Sequence, residues 1–356
     1  MKAICVMGGF GSGKTAVCLG LALSLKDRGY RVAFLKPMWN PGGLARPAVD
    51  DDATLMRAVL GMAEPVEGIS VLLTSPHYLQ KYERPEADRQ AVLEAFGRVA
   101  RKADVVVLEG ASPHIMMSLN LDTVSLCREL AAPGLFVARV ENDFSLDTTL
   151  LFNEHLRARE MGILGTVFNN VPRTLLDKVK GIYAPIMEAR GFPVLGVIPK
   201  HLEVAVPTVS EYYDVLGGEI LVGEEHLDRL VEDVLVGAMT VESALSYLRR
   251  GTNKVVITGG DRADIALAAL ETSTSALILT GGLYPDVRVI SRAGDKGVPI
   301  ILVHYDTYTA LSKLQEVSRR IKPADAQGIA LARGNFEHHC DLERLLAALQ
   351  LPPPAR

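Results

Sequence analysis

Short runs dense in Val, Ile and Leu punctuate the first two-thirds of the chain, at Lys2–Met7, Arg31–Lys36, Asp104–Glu109, Leu135–Val140, Ile163–Asn169 and Val194–Pro199. Most are apolar at successive rather than alternate positions, the pattern of strands buried on both faces of a parallel sheet. Amphipathic stretches lie between them, at Lys14–Arg28, Arg84–Arg101, Leu146–Met161 and Leu175–Arg190. This alternation predicts an α/β domain with a doubly wound, mostly parallel sheet, helices on both faces and right-handed connections.

A second, smaller α/β region follows, with expected strands at Asp233–Val236, Lys254–Thr258, Ala276–Thr280 and Pro299–Val303. Two of these run into the same Thr-Gly-Gly turn, at Thr258–Gly260 and Thr280–Gly282. The echo is as long as one strand–helix unit and does not make a repeat array. The stretch Val206–Gly223 mixes Pro and Gly with a short helix and marks the join. The expected domains are therefore 1–215 and 216–350, with a disordered tail at 351–356.

Composition narrows the classes. At 48% hydrophobic and 22% charged residues, the chain has the balance of a soluble globular protein. A formal net charge of −4 offers no basic excess for nucleic acid. No basic amphipathic segment or long apolar stretch points to a membrane. Cys5, Cys18, Cys127 and Cys340 are scattered, with no Cys-x-x-Cys pair, and read as reduced thiols of a cytoplasmic protein. The apolar run at the N-terminus is too short for a signal peptide.

Chemistry enters at Gly8–Thr15, GGFGSGKT, which follows an apolar strand and opens a helix. That is the context a P-loop requires. Glycines let consecutive backbone N–H groups point at phosphate oxygens, and the helix N-terminus adds partial positive charge. Gly8, Gly11, Ser12, Gly13, Lys14, Thr15 and Ala16 form the expected nucleotide-binding run. Lys14 can reach the β- and γ-phosphates, and Thr15 can ligate Mg²⁺. Glu109 ends a buried strand at the edge where open α/β sheets bind ligands, and it suits a direct or water-mediated Mg²⁺ contact. The triplet Asp50–Asp52 opens a helix and leaves two roles open, helix cap or metal ligand. Lys36 ends the second strand at the same edge, either to neutralise a phosphate or substrate anion or as an ordinary surface lysine. With no Asn-Lys-x-Asp guanine motif, ATP is favoured over GTP.

Together these residues resemble dethiobiotin synthetase. In that family a P-loop, a Lys-Pro after strand two, an Asp-Ala opening the next helix and a Glu-Gly-Ala after strand three build an ATP site. Here they stand as Lys14–Thr15, Lys36–Pro37, Asp52–Ala53 and Glu109–Ala111. The resemblance implies Thr15, Asp52 and Glu109 as Mg²⁺ ligands. It also implies Asn169, in TVFNNVP, as the adenine contact, with Pro199 ending the next strand on the same side. Nearly the whole chain resembles the N-terminal region of long bacterial phosphotransacetylases, a P-loop domain of this kind followed by a DRTGG domain. EGASPH, GVIPKHLEVAVPTVSEYYDVLGGEIL and VVITGGDRADIALAAL carry that likeness in order.

Two departures shape the expectation. The chain reaches Arg356 without an acetyltransferase domain, so it is not expected to be a phosphotransacetylase by itself. Ser112–Pro113–His114 replaces the Gly-Gly-Leu loop that binds diaminopelargonate in dethiobiotin synthetase. The leading expectation is a Mg·ATP-binding regulatory or sensor protein. It would be a homodimer by resemblance, with a metabolite effector at the second domain and a metabolic enzyme as partner. The alternative is an ATP-dependent ligase in which Lys14 and Lys36 are catalytic.

Other residues weigh less. His338, His339 and Cys340 are adjacent and have no second Cys/His pair, a poor metal pattern. His114 is a lone loop histidine near the site. Asp261, Arg262 and Asp264 suit an anionic effector, a dimer contact or simply a helix N-terminal turn. No Gly-x-Ser-x-Gly elbow supports hydrolase chemistry.

Overall fold

The computed structural model describes residues 1–39, 49–75, 77–81, 85–201, 206–314, 317 and 320–354. The Pro/Gly-rich loop before the acidic triplet, the expected helix start at Arg84 and the last two residues of the tail lie outside the described residues. The chain forms two compact units. Among the described residues, one holds those up to His201 together with Ile321 onward, and the other holds the stretch between them.

The first unit is built on seven strands: β1 (Lys2–Gly8), β2 (Val32–Trp39), β3 (Ser70–Leu73), β4 (Val105–Glu109), β5 (Gly134–Arg139), β6 (Ile163–Val171) and β7 (Val194–Pro199). They lie in the order β3-β2-β4-β1-β5-β6-β7, and every pairing is parallel. The chain runs outward from β1 on one side and then crosses to the other, so the switch point of the sheet falls beside β1, where ligands bind in such folds. Burial on both faces explains the unbroken apolar runs: all five residues of β4 are buried. In this sheet the strand not foreseen is β3, whose residues pair with β2 at the edge, just as Glu219–Val222 is an unforeseen strand in the second unit.

Helix α1 (Lys14–Asp27) buries Val17, Cys18, Leu19, Leu21, Ala22 and Leu25, too many for a helix with a single apolar stripe. The helix Ala326–His339 covers its other side. At Gly20 a Cβ would come within 2.5 Å of the Phe336 Cβ, so only glycine admits this approach. Arg333 pairs with Asp27 at 2.6 Å, and the Asp341 amide donates to the Leu195 carbonyl at 2.7 Å. Residues from Ile321 onward, expected in the second domain, therefore pack in the first. The tail begins with the Leu351 amide donating to the Leu346 carbonyl at 3.3 Å.

The second unit has five strands: β8 (Glu219–Val222), β9 (Asp233–Val236), β10 (Lys254–Gly259), β11 (Thr274–Thr280) and β12 (Ile300–Leu302). Their order is β8-β12-β11-β10-β9, parallel except for β8 against β12. The repeated Thr-Gly-Gly turns end neighbouring strands. Thr258 Oγ1 donates to the Gly237 carbonyl at 3.2 Å, and Thr280 Oγ1 donates to the Thr258 carbonyl at 3.3 Å. A Cβ at Gly260 would fall 1.8 Å from the Leu283 carbonyl oxygen. The echo in sequence thus reflects one strand-end stitch used twice.

Candidate functional site

The P-loop joins β1 to α1 at the carboxyl edge of the first sheet. Gly11 and Gly13 adopt left-handed φ values of 66° and 81°, which glycine reaches without strain. At Gly8 a Cβ would lie 2.1 Å from the Val137 carbonyl oxygen, because β5 runs directly alongside. Lys14 Nζ folds back over the loop and donates to the Gly8 and Gly9 carbonyls at 3.1 and 2.9 Å. Burial pulls its pKa down, partly offset by the Glu109 charge. Ser12 Oγ is buried and meets no hydrogen-bond partner among the described residues. A buried hydroxyl of this kind calls for an acceptor, such as a phosphate oxygen.

The acids converge beside it. Thr15 Oγ1 donates to Glu109 Oε1 at 3.0 Å. Lys36 Nζ bonds Asp52 Oδ2 and lies 3.3 Å from Asp50 Oδ1 and 3.6 Å from Glu109 Oε1. Burial opposes the Lys36 charge, but Glu109, Asp52 and Asp50 outweigh it and raise its pKa, so the ammonium stays protonated. Burial pushes the Glu109 carboxyl up to about 7, with Lys36 opposing the shift and Asp52 adding to it. Glu109 Oε2 is buried without a hydrogen-bond partner among the described residues. Such an oxygen suits a cation or its bound water.

Among the described residues, no three His, Cys, Asp or Glu converge as a self-sufficient metal site. Mg²⁺ is usually held by one or two carboxylates, with phosphates and water supplying the rest. Thr15, Asp52 and Glu109 bring side-chain oxygens together at this edge, a donor set that could hold such a cation.

The question left open at Asp50–Asp52 resolves at Asp50. Its Oδ1 accepts from the Asp52 and Ala53 amides at 2.9 and 3.2 Å and caps helix α2 (Asp51–Leu60). Its Oδ2 accepts from Ser70 Oγ at 2.7 Å. Ser70 was not singled out for this site. Ser70 reaches it because the unforeseen β3 sets Ser70 opposite Lys36. Arg139, also not foreseen, ends β5 beside the loop, with a guanidinium nitrogen 3.2 Å from where a Cβ at Gly11 would stand.

Asn169 ends up at the loop, with Nδ2 donating to the Ser12 carbonyl at 2.8 Å. Pro199 closes β7 on the same edge, in register with Val171. His114 Nδ1 is 3.1 Å from Ser112 Oγ, and its ring stacks on Phe152 with centroids 5.9 Å apart. At the C-terminal end of the helix Ala326–His339, His338 Nδ1 is 2.6 Å from the Gly334 carbonyl oxygen, and Cys340 bridges to Gly196. In the second unit Arg262 is engaged by Asp264 and by the Met239 carbonyl at 2.9 Å.

Comparison with known proteins agrees with this layout. The phosphate acetyltransferase of Pseudomonas putida is 28% identical over 93% of this chain and 49% of its own length. The ATP-dependent dethiobiotin synthetase of Bacillus subtilis is 27% identical over 55% of this chain and 86% of its own. The chain thus spans about half the length of the phosphate acetyltransferases it matches. The septum site-determining protein MinD of Pyrococcus horikoshii, solved with Mg-ADP, is 17% identical, covering 57% of this chain and 83% of its own, with a TM-score of 0.35. Residues 5–208, more than half of the chain, match the AAA domain model and residues 211–317 match the DRTGG domain model, so this chain belongs to the AAA domain family and carries a DRTGG domain after it.

Proposed function

We propose that the first unit binds Mg·ATP and that the protein works as an ATP-responsive regulator, with the DRTGG unit carrying association or metabolite sensing. The observation that carries the nucleotide reading is the convergence of Lys14, Thr15, Asp52 and Glu109 at the mouth of a P-loop, with buried oxygens of Ser12 and Glu109 left to be satisfied. Thr15, Asp52 and Glu109 would hold Mg²⁺. The ion would neutralise charge on the β- and γ-phosphates, and Lys14 would leave its loop carbonyls for the same phosphates. Asn169 and Pro199 would border the adenine. The regulatory reading is supported by the match to phosphate acetyltransferases across both units and by Ser112–Pro113–His114 at the acceptor side. A cytoplasmic homodimer with a metabolic enzyme as partner completes that reading.

The complete ATP-site set favours a second reading, an ATP-dependent ligase acting on a small carboxylate or carbamate. In it Lys14 and Mg²⁺ stabilise charge on the moving γ-phosphoryl group and Lys36 holds the acceptor. ADP release from Mg·ATP with candidate carboxylates separates the two. Substrate-dependent turnover lost in Lys14→Ala would establish the ligase, whereas Lys14-dependent ATP binding with negligible turnover would establish the regulator. Failure of the wild-type chain to bind ATP would overturn both.

A further inference from the structure

We propose that Lys36 and the divalent ion are alternative occupants of one carboxylate cage, so that loading Mg·ATP is an exchange that drives the Lys36 ammonium out toward the acceptor side of the site. The inference rests on Thr15, Asp52 and Glu109 as the metal ligands. Nζ bonds Asp52 Oδ2, stands 3.3 Å from Asp50 Oδ1 and 3.6 Å from Glu109 Oε1, and shares the last oxygen with Thr15 Oγ1. Mg²⁺ binds its oxygens at roughly 2.1 Å. An ion on the same Asp52 and Glu109 oxygens would therefore stand within about 5 Å of the ammonium. Two cations that close, with the lysine side chain only 12% exposed, repel strongly because little water screens them.

The exchange needs little else to move. The Lys36 backbone is held in β2, paired with Ser70, while its four-carbon stem can swing. Asp50 stays in place as the cap of α2 and through Ser70. Glu109 Oε2, buried and without a hydrogen-bond partner among the described residues, offers the arriving ion an oxygen that Lys36 does not use. The displaced ammonium then becomes available to an anion beside the γ-phosphate, so metal loading and anion binding reinforce one another.

Mn²⁺ alone, titrated without nucleotide into the full-length protein and followed by its paramagnetic resonance, tests this. Lys36→Gln is expected to bind Mn²⁺ at least about tenfold more tightly than wild type, within the usual range of coupling between two ligands. Lys36→Met, which keeps an unbranched apolar stem without the charge, keeps the test open if Lys36→Gln does not fold. Equal Mn²⁺ affinity in the wild type and the folded variant overturns the exchange. The Mg·ATP reading is judged separately, by whether wild-type ATP binding is lost in Lys14→Ala.

Discussion

The side-chain amide of Asn169 donates to the Ser12 carbonyl at 2.8 Å, tying the end of β6 to the phosphate loop across 157 residues of sequence. At Gly13 a Cβ would lie 2.3 Å from the same Asn169 nitrogen, so loop and strand end fit only with glycine there. Asn169→Ala should therefore loosen the loop. Loss of a buried hydrogen bond costs about 1–2 kcal/mol. If that cost falls on the loop conformation that binds phosphate, ATP affinity should drop roughly tenfold with a small change in melting temperature. Calorimetric titration of ATP checks this, and unchanged affinity would show that the bond does not shape the site.

Asp50 carries more than its position in an acidic triplet suggests. Asp50→Ala removes the cap of α2 and the acceptor of Ser70 Oγ together. The cap alone is worth about 1 kcal/mol. Urea unfolding should show at least that loss, and Asp50→Asn, which can still cap, should recover part of it. A neutral Asp50→Ala would place the helix start elsewhere.

Phe336 is fully buried against α1, although it belongs to a stretch expected to fold with the second unit. Phe336→Ala should destabilise the first unit by about 3 kcal/mol through the cavity it leaves. Because α1 carries Lys14 and Thr15, ATP should protect the variant less than the wild type. Thermal unfolding with and without ATP measures both effects. A Phe336→Ala protein as stable as wild type would argue against this packing.

At the opposite edge of the sheet, Asp104 accepts from the Arg31 amide at 2.9 Å and from its guanidinium at 2.7 Å. The side-chain and backbone hydrogen bonds from Arg31 hold its carboxyl down to about 2, below the ordinary value of 3.8. A depressed carboxylate stabilises the fold above its unfolded pKa and loses that contribution as pH falls through the folded one. Asp104→Asn should therefore be less stable than wild type near pH 7. The gap should close between about pH 4 and about pH 2. Acid titrations of both proteins by circular dichroism test it, and a gap that persists to the lowest pH would assign the effect to packing.

The P-loop half of the candidate site was legible in the sequence because its backbone geometry is local. Gly11, Gly13, Lys14 and Thr15 lie in one short loop whose backbone conformation and helix start are set by neighbouring residues. Buried parallel strands were legible too, since burial on both faces writes an unbroken apolar run. Tertiary structure decided what depends on which segments meet. The residues alone left the Asp50–Asp52 triplet open between cap and metal ligand, with only the family resemblance singling out Asp52; the fold made Asp50 the cap of α2, held by Ser70, and set Lys36 against both Asp50 and Asp52. Sequence placed the last helices by proximity along the chain, and the all-round apolar surface of α1, closed at Gly20 by Phe336, drew them back to the first unit. Apolar patterning states that a face must be covered, but only the packed chain determines what covers it.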